Sequence, residues 1–122
     1  MGSTVGKVAI ILLAGTQGHE GLGRMLAGLQ AAKEFIEAGD DVKVVFEGAA
    51  VAWLPKLTQP EHQMADLLEA VGPHVEGACA FCSQAFGVGE EVEGTDVSLL
   101  EANEGHPSVR SFMQDGYQVL TF

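Results

Sequence analysis

Positive charge is scarce in this chain. Six lysines and arginines stand against seventeen aspartates and glutamates, giving a formal net charge of −11. The six, Lys7, Arg24, Lys33, Lys43, Lys56 and Arg110, are scattered. A nucleic acid needs a basic stripe to neutralise its phosphates, and an anionic membrane surface needs a basic cluster. Neither partner is expected. Cysteine is equally sparse: Cys79 and Cys82 are the whole complement, too few to staple a small secreted scaffold. No apolar run approaches the roughly 20 residues of a membrane span. Phosphate-binding signatures are missing too. "GTQGHEG" (15–21) is rich in glycine but fits neither G-x-G-x-x-G nor the P-loop, and it has no lysine. A cradle of backbone amides for a small anion is all that it offers.

What is present is the material for a core. The chain is 47% hydrophobic and 19% charged over 122 residues, which suits one domain spanning 1–122. "KVAIILLA" (7–14) reads as a strand covered on both faces. It also has the length of a signal-peptide core, but the turn and helix that follow favour the strand and the cytoplasm. Leu22, Met25, Leu26, Leu29, Ala32, Phe35 and Ile36 recur at helical spacing from about Glu20 to Ala38, with Gly39 placed to end the helix. "DVKVVF" (41–46) is a β-branched strand. "EGAAVAWLPKL" (47–57) reads as a loop with one helical turn, broken at Pro55. A helix is expected from Pro60 to Gly72, then a strand over 74–81, a short helix from Cys82 to Phe86 stopped by Gly87, and an acidic surface loop over 89–96. A fourth strand over 96–100, a helix opened by Pro107 and closed by Gly116, and a strand over 117–122 complete the chain. The alternation predicts a single three-layer α/β/α domain, flavodoxin- or Rossmann-like. It has about five mostly parallel strands, the first at the centre.

Ligands of such sheets sit beyond the carboxyl ends of the strands. That rule gathers His19, Glu20, Glu47, Trp53, Cys79, Cys82, Glu104 and His106 as candidates. The cysteine pair is foremost, with Cys79 near a strand end and Cys82 near a helix start. A helix N-terminus stabilises thiolate, the form that attacks sulfur. The alternative is two small buried hydrophobes. For a structural metal, one C-x-x-C supplies two of four ligands. Zinc at the Cys79/Cys82 pair would draw on His19 and His106, whereas His62 and His74 read as surface residues. Glu47 suits a base, a helix-cap partner or a subunit contact, and Trp53 suits packing or an interface. A non-catalytic module that holds a small ligand or partner through His19, Glu47, Trp53 and His106 is the other alternative. It predicts that both cysteines can become serine without loss of binding.

The order of "KVAIILLAG", "EAGDDVKVVFEGAAV", the cysteine ending the third strand, the "GV" after a short helix and the closing "DGYQVLTF" resembles the DsrE-like family, which includes DsrE- and TusD-type sulfur-relay proteins. The resemblance covers nearly the whole chain. It implies a carrier that accepts sulfur as a persulfide on a cysteine eight residues before the glycine. Gly87 places that role on Cys79. A second cysteine five before the glycine falls on Cys82, which would assist or resolve the persulfide as a disulfide. Many members carry arginine just before the glycine; here it is Phe86. The resemblance further implies a homotrimer or homohexamer, sulfur donor and acceptor proteins as partners, and no organic cofactor or metal.

Overall fold

A computed structural model describes residues 6–122. Five strands, β1 (Lys7–Leu12), β2 (Asp41–Phe46), β3 (Val75–Cys79), β4 (Leu99–Leu100) and β5 (Gln118–Thr121), form one parallel sheet in the order β4-β3-β2-β1-β5. The first strand is therefore one in from the edge, and β2 holds the centre. β1 and β2 run side by side from Lys7↔Asp41 to Leu12↔Phe46. Alternate side chains point to opposite faces, and Val8, Ile10, Leu12, Val42, Val44 and Phe46 form one core with Met25, Leu29 and Ala32 of α1 (Gly18–Glu37). Burying side chains of this size contributes roughly 1.5–3 kcal/mol each. Ala9, Ile11 and Val45 on the other face are buried as well, which accounts for the unbroken apolar pattern.

Between β2 and β3 the chain is more helical than its sequence suggests. A 3₁₀ segment (Gly48–Trp53) runs directly into α2 (Leu54–Leu57), with Pro55 in its first turn. Proline is welcome there because its missing N–H has no intrahelical partner to lose. α3 (Ala65–Val71) then starts five residues after Pro60, because turns over 60–64 come first. α4 (Ala80–Ala85) follows β3 without a break, and the acidic stretch after it contains a short helix, α5 (Gly89–Glu93), anchored by buried Val92. α6 (Val109–Gln114) is capped by Ser108, whose hydroxyl accepts from Ser111 N–H at 3.2 Å. At the ends of α1, α4 and α6, Gly39, Gly87 and Gly116 have φ of +89°, +71° and +90°. Each donates its N–H three residues back, while the next residue donates to the carbonyl five back, as Gly39→Ile36 and Asp40→Phe35 do. This is the Schellman ending, which a Cβ would strain.

The topology locates a crevice. Crossovers from β1 to β2, β3 and β4 all step the same way along the sheet, and the last runs back to β5 beside β1. Parallel crossovers are right-handed, so the first three connections cover one face and the fourth covers the other. The chains leaving β3 and β4 therefore part company, and that switch point is where open α/β sheets bind ligands.

Candidate functional site

Cys79 ends β3 and is the N-cap of α4, and Cys82 lies one turn into that helix. Both are buried free thiols, 0% and 8% exposed. The strand-to-helix corner is held by Ser83, fully buried, whose hydroxyl donates to the Cys79 carbonyl at 2.8 Å. The Cys82 N–H donates to Cys79 Sγ at 3.3 Å. His106 comes from the connection after β4. It closes a tight turn in which Asn103 and His106 exchange both backbone hydrogen bonds, at 2.7 and 2.9 Å. The two residues between them, Glu104 and Gly105, have φ of +51° and +90°, the pairing of a type I′ turn. Glu104 is the one non-glycine with positive φ among the described residues. A second tie fixes the turn to the cysteine helix, since Phe81 N–H donates to the Gly105 carbonyl at 2.8 Å.

The two connections thus bring His106 Nδ1 to 3.2 Å from Cys79 Sγ. Glu47, just past β2, places Oε1 at 3.8 Å from the same nitrogen. The Phe81 ring covers the imidazole, centroids 4.8 Å apart. His106 and Glu47 side chains are 34% and 20% exposed, so both reach solvent while the Cys79 thiol is buried.

Burial pushes the Cys79 thiol up to about 12, assisted by its hydrogen bond with Cys82 and by the Glu47 carboxylate. The Cys82 N–H acts the other way but is outweighed. The expectation that the helix start would make a thiolate is corrected at this residue. α4 is a single short turn and a half, so loss of hydration dominates a partial dipole. At neutral pH Cys79 is a protonated thiol with an imidazole nitrogen at hand.

The remaining sequence candidates are placed elsewhere. His19 and Glu20 lie exposed in the first turn of α1, and Glu104 is exposed on its turn. Trp53 is 4% exposed and packs in the core. Its indole N–H donates to the Gly15 carbonyl at 3.0 Å, and its ring meets His62 edge-on. His62 Nδ1 in turn accepts from Met64 N–H at 3.0 Å. A groove of about 780 Å³ between α3 and residues 94–97, and one of about 520 Å³ between α4 and α5, contain none of Cys79, Cys82, His106, Glu47 or Trp53. Ser83 and Gly105 escape a reading of the sequence. A serine one residue past the C-x-x-C and a glycine directly before His106 are the available signals, and both are commonplace without the fold.

Among the described residues no helix is long and apolar enough to cross a membrane. The chain is similar to the uncharacterized protein MJ0733 of Methanocaldococcus jannaschii, with 32% identity over 96 residues, 79% of this chain and 78% of that one. Its fold is similar to that of a conserved protein of unknown function, BT1422 of Bacteroides thetaiotaomicron. The TM-score is 0.60 over 93% of this chain and 94% of that one, at 17% identity. The model of the DsrE/DsrF-like family matches residues 7–122. With the cysteine at the end of β3 and the five-stranded parallel sheet in place, the chain belongs to the DsrE/DsrF-like family.

Proposed function

We propose that this protein carries sulfane sulfur as a persulfide on Cys79. The observation that carries the reading is the contact between Cys79 Sγ and His106 Nδ1, 3.2 Å apart at the switch point of the sheet. A thiol held neutral by burial needs a base at the moment of attack, and an imidazole nitrogen in hydrogen-bond reach is suited to that. In the step proposed, the Cys79 proton passes to His106 as Sγ attacks the outer sulfur of a donor persulfide, R–S–SH. The new Sγ–S bond forms and the R–S–S bond breaks. The donor leaves as R–S⁻ and takes the proton from the imidazolium, so no net oxidation occurs. Glu47 steadies the transient positive charge on His106.

Transfer onward repeats the step with an acceptor thiolate attacking the outer sulfur of the Cys79 persulfide. Cys82 offers the other fate. Its thiolate attacks Cys79 Sγ, releases hydrosulfide and leaves a Cys79–Cys82 disulfide. Donor and acceptor are taken to be proteins, the compartment the cytoplasm, and the assembly a homotrimer or homohexamer. Phe81 and Phe86 on α4, 56% and 51% exposed, are apolar surface for such contacts.

Intact-mass measurement of reduced protein exposed to a persulfide donor tests the reading. One added sulfur, removable by reductant, is expected in wild type and Cys82→Ser and absent from Cys79→Ser. An adduct that survives in Cys79→Ser rules Cys79 out as the acceptor.

A further inference from the structure

The sulfur reading uses one thiol at a time, yet the fold converges three soft ligands. Cys79 Sγ, Cys82 Sγ and a ring nitrogen of His106 all lie within 4.8 Å of one another. A tetrahedral zinc ion with bonds of about 2.3 Å to sulfur and about 2.0–2.1 Å to nitrogen sets its ligand atoms roughly 3.5–3.8 Å apart. Cys79 Sγ and His106 Nδ1, at 3.2 Å, need to part by only a few tenths of an ångström. His19, which a sequence-based zinc site would enlist, is not in this group.

We propose that Cys79, Cys82 and His106 form a three-ligand site for a thiophilic divalent cation of the zinc class, with the fourth position open towards Glu47. Two sulfurs and an imidazole suit zinc and exclude the oxygen-seeking magnesium and calcium. The surroundings are those of a prepared site. The N–H of Cys82 already points at Cys79 Sγ, where it offsets thiolate charge. Ser83 holds the Cys79 backbone, and the Asn103–His106 turn and the Phe81 ring fix the imidazole. Outer contacts of this kind orient metal ligands. Glu47 Oε1 lies 3.8 Å from Nδ1, outside the three-residue cluster, where it can accept from a water bound to the ion. On binding, two S–H bonds give way to two metal–sulfur bonds and both protons pass to solvent. A metal-bound Cys79 shares one of its lone pairs with the ion and is the weaker nucleophile for it, so a bound ion is expected to slow sulfur loading.

Cobalt(II) titration of the reduced full chain reads this out. One ion per chain is expected, with a thiolate-to-cobalt charge-transfer band in the near ultraviolet and intense visible bands that zinc bleaches. Both signals should vanish in Cys79→Ser and Cys82→Ser, weaken in His106→Ala and persist in His74→Ala. For wild type alone, zinc should protect both thiols from alkylation, which keeps the test valid if a variant misfolds. A wild type without the charge-transfer band, or a Cys82→Ser that binds as wild type does, overturns the proposal. The sulfur reading fails separately: Cys82→Ser is expected to accept sulfur while losing metal, so either activity can be lost alone.

Discussion

Removing Cys82 isolates the chemistry of Cys79 for a quantitative test. In the wild type burial pushes the Cys79 thiol up to about 12, against about 8.5 for an ordinary cysteine. Cys82→Ser keeps the desolvation but loses the Cys82 thiol's share, so about 12, with the deficit it implies, is an upper limit for the variant. At pH 8 the thiolate fraction is then ~10⁻⁴ rather than ~0.2, a deficit of about 2,000-fold. A more basic thiolate is the better nucleophile, and with a Brønsted slope of about 0.4–0.5 it recovers roughly 40-fold. Alkylation by iodoacetamide should therefore run about 50-fold slower than a peptide cysteine, before any steric shielding. The rate should climb about tenfold per pH unit from 8 towards 11 without levelling. The serine at position 82 removes the thiol that helps to raise Cys79 but keeps the backbone N–H, so desolvation alone has to sustain the shift. The measurement is mass-spectrometric alkylation kinetics over that pH range, with circular dichroism as a check of folding. A rate near that of the free peptide, flattening below pH 9, would refute the claim that the fold holds this sulfur as a thiol.

Other expectations follow from the same geometry. His106→Ala should slow sulfur acceptance by about 100-fold or more, the usual contribution of a positioned base, while Glu47→Gln should cost about tenfold as an outer contact; loading rates by mass spectrometry check both. Stability should fall as pH rises above about 9. Cys79, Tyr117 and Lys43 all have folded values raised above their unfolded ones, so each contributes below its unfolded value and is lost on passing the folded one. Urea midpoints at pH 7.5 and 10 should show this, with a smaller drop in Cys79→Ser. Gly77→Ala would put a Cβ 2.5 Å from the Ser98 carbonyl oxygen and 2.6 Å from Leu100 Cγ. Forcing β4 off β3 in this way should cost about 1–3 kcal/mol in chemical denaturation. Trp53→Phe leaves the Gly15 carbonyl without its indole partner and should cost about 1–2 kcal/mol while sulfur acceptance is unchanged.

Much of the fold is legible in the sequence. The β-branched and apolar runs mark β1 and β2, because strands covered on both faces have no polar alternation to hide, whereas β5 is a mostly exposed edge strand marked by its short apolar centre, Val119 and Leu120. Gly39, Gly87 and Gly116 stand where helices stop, because each takes a left-handed conformation that other residues resist. The short elements are harder to read. The stretch 89–96 looks like solvent-exposed loop because five residues of helix need only one buried anchor, Val92. Helical continuity through Pro55 depends on its falling in a first turn rather than an interior one.

For the site, the sequence places Cys79, Cys82, Glu47 and His106 along one rim, and the fold gathers these four while leaving His19 and Trp53 outside. Nothing local to His106 announces that partnership. It depends on a strand order running one way and then doubling back, and on a type I′ turn strained at Glu104. The thiol's ionisation is hidden for a related reason. Nearness in sequence to a helix start is visible, whereas complete burial of Sγ is a property of the packed core.

A carrier must release what it accepts, and that is the most direct measurement. Protein loaded with one sulfur, freed of donor and mixed with an acceptor thiol, should return to its starting mass as acceptor persulfide appears, with the label on the Cys79 peptide until then. A load that never leaves, or that resolves only into a Cys79–Cys82 disulfide with loss of hydrosulfide, would contradict the carrier role.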